Sequence, residues 1–462
     1  MKLTYVIRVT LAGVGALLLQ SCFVAKEYQR PDLKVIQEES YRTDLLPQDS
    51  ISMADISWRE LFTDTYLVSY IEEALTNNID VRIALKNIDI AAVYQRQFNT
   101  GYWPSFGLRA GATHNQYFGD NPSDITQYEI LGNMSWEADI WGKIRSQRRA
   151  GEADYLHTVF AHHTVKTELI GQVATLYYQL LALDEQLDIV NQTIANRENS
   201  IVTTEALKDA GQLTEVSVQQ TKAQLKNVES LRLDILQQIN ATENLFSVLI
   251  GKNPQTIERS SLKEQKTDFV LNTGYPVQLL NNRPDVKAAE YALISAFEGT
   301  NIARSQLYPS VTLTVNGGLQ NTDLSELLDL NSLFVQLIGG ITQPIFNNRK
   351  IKTQYEVSQA LQEQAMLRFE GALLQAGREV SDALFAIQTS EEKIHLKTQE
   401  NEAYTLALQY SEELINQGFG NYLEVLSARE NALNSQISIV LSKYEKLKSV
   451  VALYRALGGG WK

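Results

Sequence analysis

Proline is scarce and uneven in this chain. Of nine prolines in 462 residues, none lies between Pro122 and Pro254 and none follows Pro344. Proline breaks helix interiors, so two long proline-free tracts predict long helices. Cysteine is nearly absent: the single thiol, Cys22, cannot close an intrachain disulfide or build a cysteine cluster for zinc. The five histidines, His114, His157, His162, His163 and His395, fall into no HExxH or other ligand spacing. His162 and His163 are adjacent and are expected to diverge around a helix. No Walker A sequence and no Gly-x-Ser-x-Gly elbow occurs; Gly251-Lys252-Asn253-Pro254 reads as a helix end and linker start. These gaps point away from an enzyme and imply no cofactor and no metal site. A formal net charge of -13 excludes a nucleic-acid partner, whose binders need a basic face.

What is present begins with a leader. Residues 1–21 read as a secretory signal peptide, with Lys2 and Arg8 ahead of the apolar run Leu11 to Leu19. That run is too short for a convincing transmembrane helix. Leu19-Gln20-Ser21-Cys22 resembles a lipobox, although a small residue is usual where Gln20 stands. Cys22 is therefore the expected lipidation site, whose acyl chains would anchor the chain in outer-membrane lipid. Residues 22–57 form a polar, lipidated N-terminal extension.

The rest says the same thing twice. Asp80 and Asp285 lie 205 positions apart, as do Pro104 and Pro309; Gly211 and Gly418 lie 207 apart, as do Gly251 and Gly458. A near-constant offset means that a domain-sized unit was duplicated. The first repeat covers residues 58–254, with a β-hairpin at about 105–138. Residues 255–274 are a linker. The second repeat covers 275–462, with a hairpin at about 310–343. Each repeat reads as helix, Pro-Ser, strand, turn, strand, long helix, glycine tip, long helix. In the first hairpin Phe106, Leu108, Ala110 and Ala112 alternate with Gly107, Arg109, Gly111 and Thr113. The expected turn is Gly119-Asp120-Asn121-Pro122, and the return strand runs past Tyr128 and Trp136. Tyr102, Trp103, Tyr117, Phe118, Tyr128 and Trp136 are candidates for aromatic belts at a membrane interface.

The helical tracts Asp154 to Asp209 and Lys350 to Gln417 are longer than a globular domain needs, and the second reads as the longer. At ~1.5 Å per residue the first spans about 80 Å. The last helix carries Leu433, Ile437, Val440, Tyr444, Leu447, Val451 and Tyr454, a 4-3 spacing that marks a coiled-coil seam. Leu225, Val228, Leu231, Ile235 and Ile239 do the same in the first repeat. Four amphipathic strands cannot close a membrane barrel, which starts at about eight. Open sheet edges are not tolerated in lipid. Three chains would supply twelve strands. The fold class is therefore mainly α with transmembrane β, a duplicated helix-strand-strand-helix chain.

Several stretches in a fixed order carry a family resemblance. They are Ser135-Trp136-Glu137-Ala138-Asp139-Ile140-Trp141-Gly142-Lys143, Arg283-Pro284-Asp285-Val286, Tyr308-Pro309-Ser310, Pro344-Ile345-Phe346 and the terminal Ala456-Leu457-Gly458-Gly459-Gly460-Trp461. From about residue 55 to the end the chain resembles the TolC-type outer-membrane efflux factors, most closely the NodT-like lipoprotein branch that serves RND pumps. The resemblance implies a homotrimer with a 12-stranded outer-membrane β-barrel and a periplasmic α-barrel. It implies a passive exit duct for drugs, metals or other solutes. Its partners would be a periplasmic adaptor (membrane fusion) protein and an inner-membrane RND transporter. An exit duct for type I protein secretion, or a structural periplasmic coiled-coil lipoprotein, are the alternatives. In the family the tips narrow the pore with acidic rings. By that resemblance Glu424 and Glu215 are pore-constriction candidates. Ser427 and Ser217 stand where relatives can be acidic, and Gly420 where some carry an arginine lock.

Overall fold

The computed structural model describes residues 24–32, 52–118, 123–266, 273–419 and 421–461. The expected signal peptide, Cys22, the expected turn at residues 119–122 and Gly420 lie outside the described residues. After a single turn at Trp58–Leu61, the first repeat has the helices α1 (Thr65–Asn77) and α2 (Ile79–Asn99). They are followed by strands β1 (Ser105–Tyr117) and β2 (Ser123–Ala138) and long helices α3 (Lys143–Asp209) and α4 (Glu215–Leu249). The second repeat gives α5 (Pro284–Ser305), β3 (Ser310–Asn321), β4 (Leu333–Thr342), α6 (Lys350–Asn416) and α7 (Tyr422–Ala456). The two long helices have equal length, 67 residues each, so the expectation that the second is longer is corrected. α3 also begins earlier than Asp154. Asp139 caps it, its two carboxylate oxygens accepting from the Ile144 and Arg145 N–H groups at 2.8 and 3.0 Å.

The chain divides into two compact units, with the division falling inside α2, α3, α5 and α6. One unit holds residues 24–32, 87–159 and 288–369 and contains the four-stranded antiparallel sheet, in the order β1-β2-β3-β4. Its register sorts the side chains by face. Phe106 pairs with Met134, Met134 with Val315 and Val315 with Leu337. Ala110, Ile130, Leu319 and Leu333 form a second row on that apolar face. The opposite face is polar. Arg109 is paired with Glu129, and Asn133 donates to Asn316 at 2.7 Å, which donates in turn to Gln336 at 3.3 Å. Since side chains alternate at period two, a one-residue slip would exchange these faces, and that fixes the register. Phe106 and Leu108 are 77% and 81% exposed, and among the described residues neither β1 nor β4 has a second strand beside it. Exposed aromatics flank β1 at both ends, Trp103 before it and Phe118 after it.

The signature residues pack in this unit. Trp141 donates to the Pro309 carbonyl at 2.7 Å and stacks on Tyr308, so the first repeat's Trp-Gly-Lys grips the second repeat's Tyr-Pro-Ser. The N-terminal segment is also tied down. Arg30 makes a two-pronged pair with Glu290 at 2.6 and 2.8 Å, and Lys26 and Asn301 exchange backbone-to-side-chain hydrogen bonds.

The other unit holds residues 52–86, 160–287 and 370–461, with the helical hairpins α3/α4 and α6/α7. Leu225, Val228, Ile235 and Ile239 are buried in one hairpin, and Leu433, Val440, Leu447, Val451 and Tyr454 in the other. Each fully buried side chain of this kind contributes ~1.5–3 kcal/mol. Both hairpins end on a glycine pressed against a short helix. A Cβ on Gly251 would meet the Asn77 carbonyl oxygen at 2.8 Å, and one on Gly458 the Asn282 carbonyl oxygen at 2.4 Å. Arg283 sits beside the second of these stops. Only 7% of its side chain is exposed. It binds Asp285 through two donors at 2.9 and 2.6 Å, Glu379 at 2.8 Å and the Ala456 carbonyl at 3.0 Å. Among the described residues no helix is long and apolar enough to cross a membrane.

Candidate functional site

The two tips are built alike. α3 ends at Gly211 (φ 73) and α6 at Gly418 (φ 82), both in the left-handed region where a side chain is strained. The N–H of Gln212 donates to the Leu207 carbonyl and that of Phe419 to the Leu414 carbonyl, both at 2.9 Å, closing the last helical turn in each case. α4 then starts at Glu215 and α7 at Tyr422, 207 positions apart. At that offset Tyr422 stands where the first repeat has Glu215, and Glu424 where it has Ser217.

The tips use these positions in opposite ways. Glu215 is exposed and locally neutralised: Gln219 donates to it at 2.7 Å and Lys208 at 3.4 Å. The Gln219 amide, with Lys208 and Lys222 nearby, holds the Glu215 carboxyl below the usual range. Ser217 is 9% exposed, with its hydroxyl 3.4 Å from that of Thr214. In the second repeat the pattern reverses. Tyr422 is buried, while Glu424 is exposed and its carboxylate has no hydrogen-bond or ion-pair partner among the described residues. Ser427, one turn on, is also exposed, and Asn431 and Asn434 continue the same face of α7. This stripe carries one free carboxylate and no cation. The exposed start of α4, by contrast, has Lys208 and Lys222 beside Glu215.

Sequence reading missed Tyr422. Its hydroxyl is 3.1 Å from that of Thr204 on α3 and also hydrogen-bonds Thr221 on α4. Below it, Ile415, Val425 and Leu426 form an apolar cluster with Leu207, Leu213 and Leu408. Arg197 on α3 reaches Glu430 on α7 at 3.3 Å. The hairpins of the two repeats are thus joined near their tips by a hydroxyl contact, an apolar plug and an ion pair. The adjacent histidines have only packing contacts here. The His162 and His163 rings lie 5.7 Å apart, and His163 rests on Trp461 at 4.8 Å.

A duplicated chain with this two-faced sheet and these paired helical hairpins defines a class, the outer-membrane channels that join membrane strands to long helices. The chain belongs to the outer membrane efflux protein family, whose model matches residues 70–252 and 275–459. It is 29% identical over 456 residues to the cation efflux system protein CusC of Escherichia coli O6:H1, covering 97% of both chains. It is 28% identical to the toluene efflux pump outer membrane protein TtgF of Pseudomonas putida, covering 96% of this chain and 95% of that one. It is also 28% identical to the probable outer membrane lipoprotein SilC of Salmonella typhimurium, covering 95% of each. Among solved structures it resembles the outer-membrane channel OprN, with a TM-score of 0.88 over 95% of this chain and all of that one, at 22% identity. The protein is an outer-membrane efflux channel of a Gram-negative bacterium.

Proposed function

We propose that the chain works as a homotrimer, the passive exit duct of a tripartite efflux pump, receiving its cargo from a periplasmic adaptor and an inner-membrane RND transporter. The observation that carries the trimer is the sheet. Among the described residues its β1 and β4 edges have no second neighbour, and its apolar face is exposed. Unpaired edges cannot stand in lipid, so other copies must cover them. Three copies make twelve strands, with the polar ladder of Asn133, Asn316 and Gln336 turned inward. The pump partners are supported by relatives named as parts of cation and toluene efflux systems. Those two cargoes differ so much that the duct is read as unselective. Acylation of Cys22 is supported by the relative named as a lipoprotein.

Within the duct, Glu424 is the constriction residue. Its carboxylate is unpaired, and threefold symmetry would bring three of them around one axis, where a ring of carboxylates favours cations. Glu215, held by Lys208 and Gln219, contributes little. The reading is tested by mass measurement of the purified oligomer and by conductance in planar bilayers. A monomer, or a trimer that conducts no ions under any condition, would sink it. Co-purification with an adaptor and a large inner-membrane transporter tests the partners.

A further inference from the structure

The helices that lead into the two strand pairs, α2 and α5, are covered unequally. α5 lies against two long helices. On one side Thr300 donates to the Ser358 carbonyl on α6 at 3.0 Å. On the other, Glu298 pairs with Arg149 on α3 at 2.9 Å, and His157 on α3 donates to the Ala288 carbonyl at 2.9 Å. Only 2% of the Glu298 side chain is exposed. α2 shows the first of these contacts: Phe98 packs on Gly151 of α3, where a Cβ would overlap the ring. At the repeat offsets of 205 and 207, Phe98 and Gly151 correspond to Ala303 and Ser358, both buried. The duplication therefore keeps each short helix on the long helix of its own repeat.

The second contact is missing for α2, and both of its surfaces are bare. Ser295, Glu298 and Gly299 of α5 correspond to Ile90, Val93 and Tyr94 of α2, each more than half exposed. Spacings of three and four put these apolar side chains on one helix face. Arg149, Ala153 and His157 of α3 correspond to Glu356, Ala360 and Gln364 of α6, all exposed, with the exposed Val357 beside them. The strand edges say how the two bare faces meet. α2 leads into β1 and β4 leads into α6, and β1 and β4 are the two open edges of the sheet. Strand directions alternate across the sheet, so β4 of one copy joins β1 of the next antiparallel, like the pairs within the chain. That join sets the start of β1, with α2 ahead of it, beside the end of the other copy's β4, with α6 after it.

We propose that the open face of α2 docks on the first turns of α6 of the next copy, as α5 docks on α3 within the chain. The proposal rests on the homotrimer reading and names the surfaces that build it. The contact between copies differs in chemistry from its template. Where the template has the Arg149–Glu298 pair, the contact between copies sets Glu356 against Val93. Where the template has Ser295 and Gly299, it has Ile90 and Tyr94. Glu356 is held by Arg349 of its own chain at 3.0 Å, so it needs no cation from the other copy. The contact within the chain is thus clasped by charge, and the contact between copies is held by apolar burial.

The test uses the purified full-length protein in detergent, with the oligomer followed by light scattering over a dilution series. Val93→Glu sets a carboxylate against Glu356 of the next copy and should weaken association about tenfold or more. Val93 is exposed in the single chain, so its fold is left alone. Adding Glu356→Arg recreates the Arg149–Glu298 pair between copies and should bring association back to within about threefold of wild type. A second measurement does not depend on charge. Val93→Cys combined with Glu356→Cys should be joined between copies by a short bismaleimide, several-fold more than Val93→Cys combined with Gln354→Cys. Gln354 is exposed too, but two residues from Glu356 it points to another side of α6. A wild type that is monomeric sinks the exit-duct reading. A trimeric wild type whose association ignores Val93→Glu, a double variant that is not restored, or equal cross-linking of the two cysteine pairs overturns the docking. The first two of these results would leave α2 facing lipid or another protein.

Discussion

The two glycine tips share a backbone and differ in what they expose. Both close with the same left-handed glycine and the same pair of main-chain hydrogen bonds. In the first, the residue that opens the return helix is an exposed glutamate tied to Lys208 and Gln219. In the second it is the buried Tyr422, and the free carboxylate comes two residues later. Shifting an acid by two positions on a helix turns it about 200° around the axis. The duplication thus kept the turn and rotated the charge. Backbone geometry needs glycine at both tips, whereas the side chains that follow are free to take separate jobs.

The other ends of the hairpins extend the comparison, and breaking them should have the largest effect. At Asn78 the first repeat donates from the side-chain amide to the Leu249 carbonyl at 2.9 Å and caps α2 through its oxygen. The equivalent Arg283 reaches the Ala456 carbonyl and adds two partly buried carboxylates. Arg283→Ala strands Asp285 and Glu379, which keep some water, and removes four hydrogen bonds, and is expected to cost about 2–4 kcal/mol. Asn78→Ala loses a cap and one hydrogen bond, about 1–2 kcal/mol. Denaturant unfolding of both variants measures the gap. Equal losses would mean that Arg283 does no more than the amide does.

A middle-sized effect is expected at the hydroxyl contact. Tyr422→Phe keeps the ring in its apolar cluster but leaves Thr204 and Thr221 without their shared partner, at about 1–2 kcal/mol. Glu215→Phe at the equivalent first-tip position touches no such contact, and is expected to change stability by about 0.5 kcal/mol or less. If Tyr422 also holds the hairpins together at the tips, Tyr422→Phe raises single-channel conductance as well. Unchanged conductance would confine it to packing.

The charges themselves give the next comparison. Glu424→Gln is expected to lower cation preference in planar bilayers, and Glu215→Gln to leave it alone. Raising the salt should shrink the Glu424 effect as screening shortens the reach of the ring. Identical reversal potentials in wild type and Glu424→Gln would remove Glu424 from the pore.

Much of this was legible in the sequence, for a physical reason. Glycine tips, Pro-Ser breaks and period-two strands are local requirements of backbone and face, so they print themselves at fixed offsets. The alternation around Phe106 and Val311 was enough to sort the sheet faces that the register confirms. The early start of α3 was hidden because its first turns carry Arg145, Arg148 and Arg149 in place of a clear apolar rhythm. Tyr422 was invisible for another reason. A hydroxyl contact between residues two hundred positions apart leaves no periodic trace, and an aromatic at a helix start reads as any other. Arg283 was seen only as part of a family signature; its four hydrogen bonds come from three separate elements.

The smallest expected effect concerns the ends of the two copies, where the second finishes in Gly460-Trp461 and the first in a linker. Trp461 donates to the Asn282 carbonyl at 2.8 Å and lies against His163 and Phe160. Burial, then Lys166, His162 and Lys287, push the His163 pKa down to about 4. The ring is thus held neutral in the folded chain, while the unfolded chain takes up a proton near the ordinary 6.5. Stability from this site is full above pH 6.5 and is lost as pH falls toward 4, because the unfolded state then binds more protons. The ring is only partly buried, and solvent screening reduces the loss to about 1 kcal/mol. His163→Phe keeps the packing on Trp461 and removes the titration. Wild type and variant should therefore run parallel from pH 8 to 6.5 in unfolding midpoint, with wild type falling away below. Curves that stay parallel down to pH 4 would show that Trp461 stacks on His163 without setting its charge.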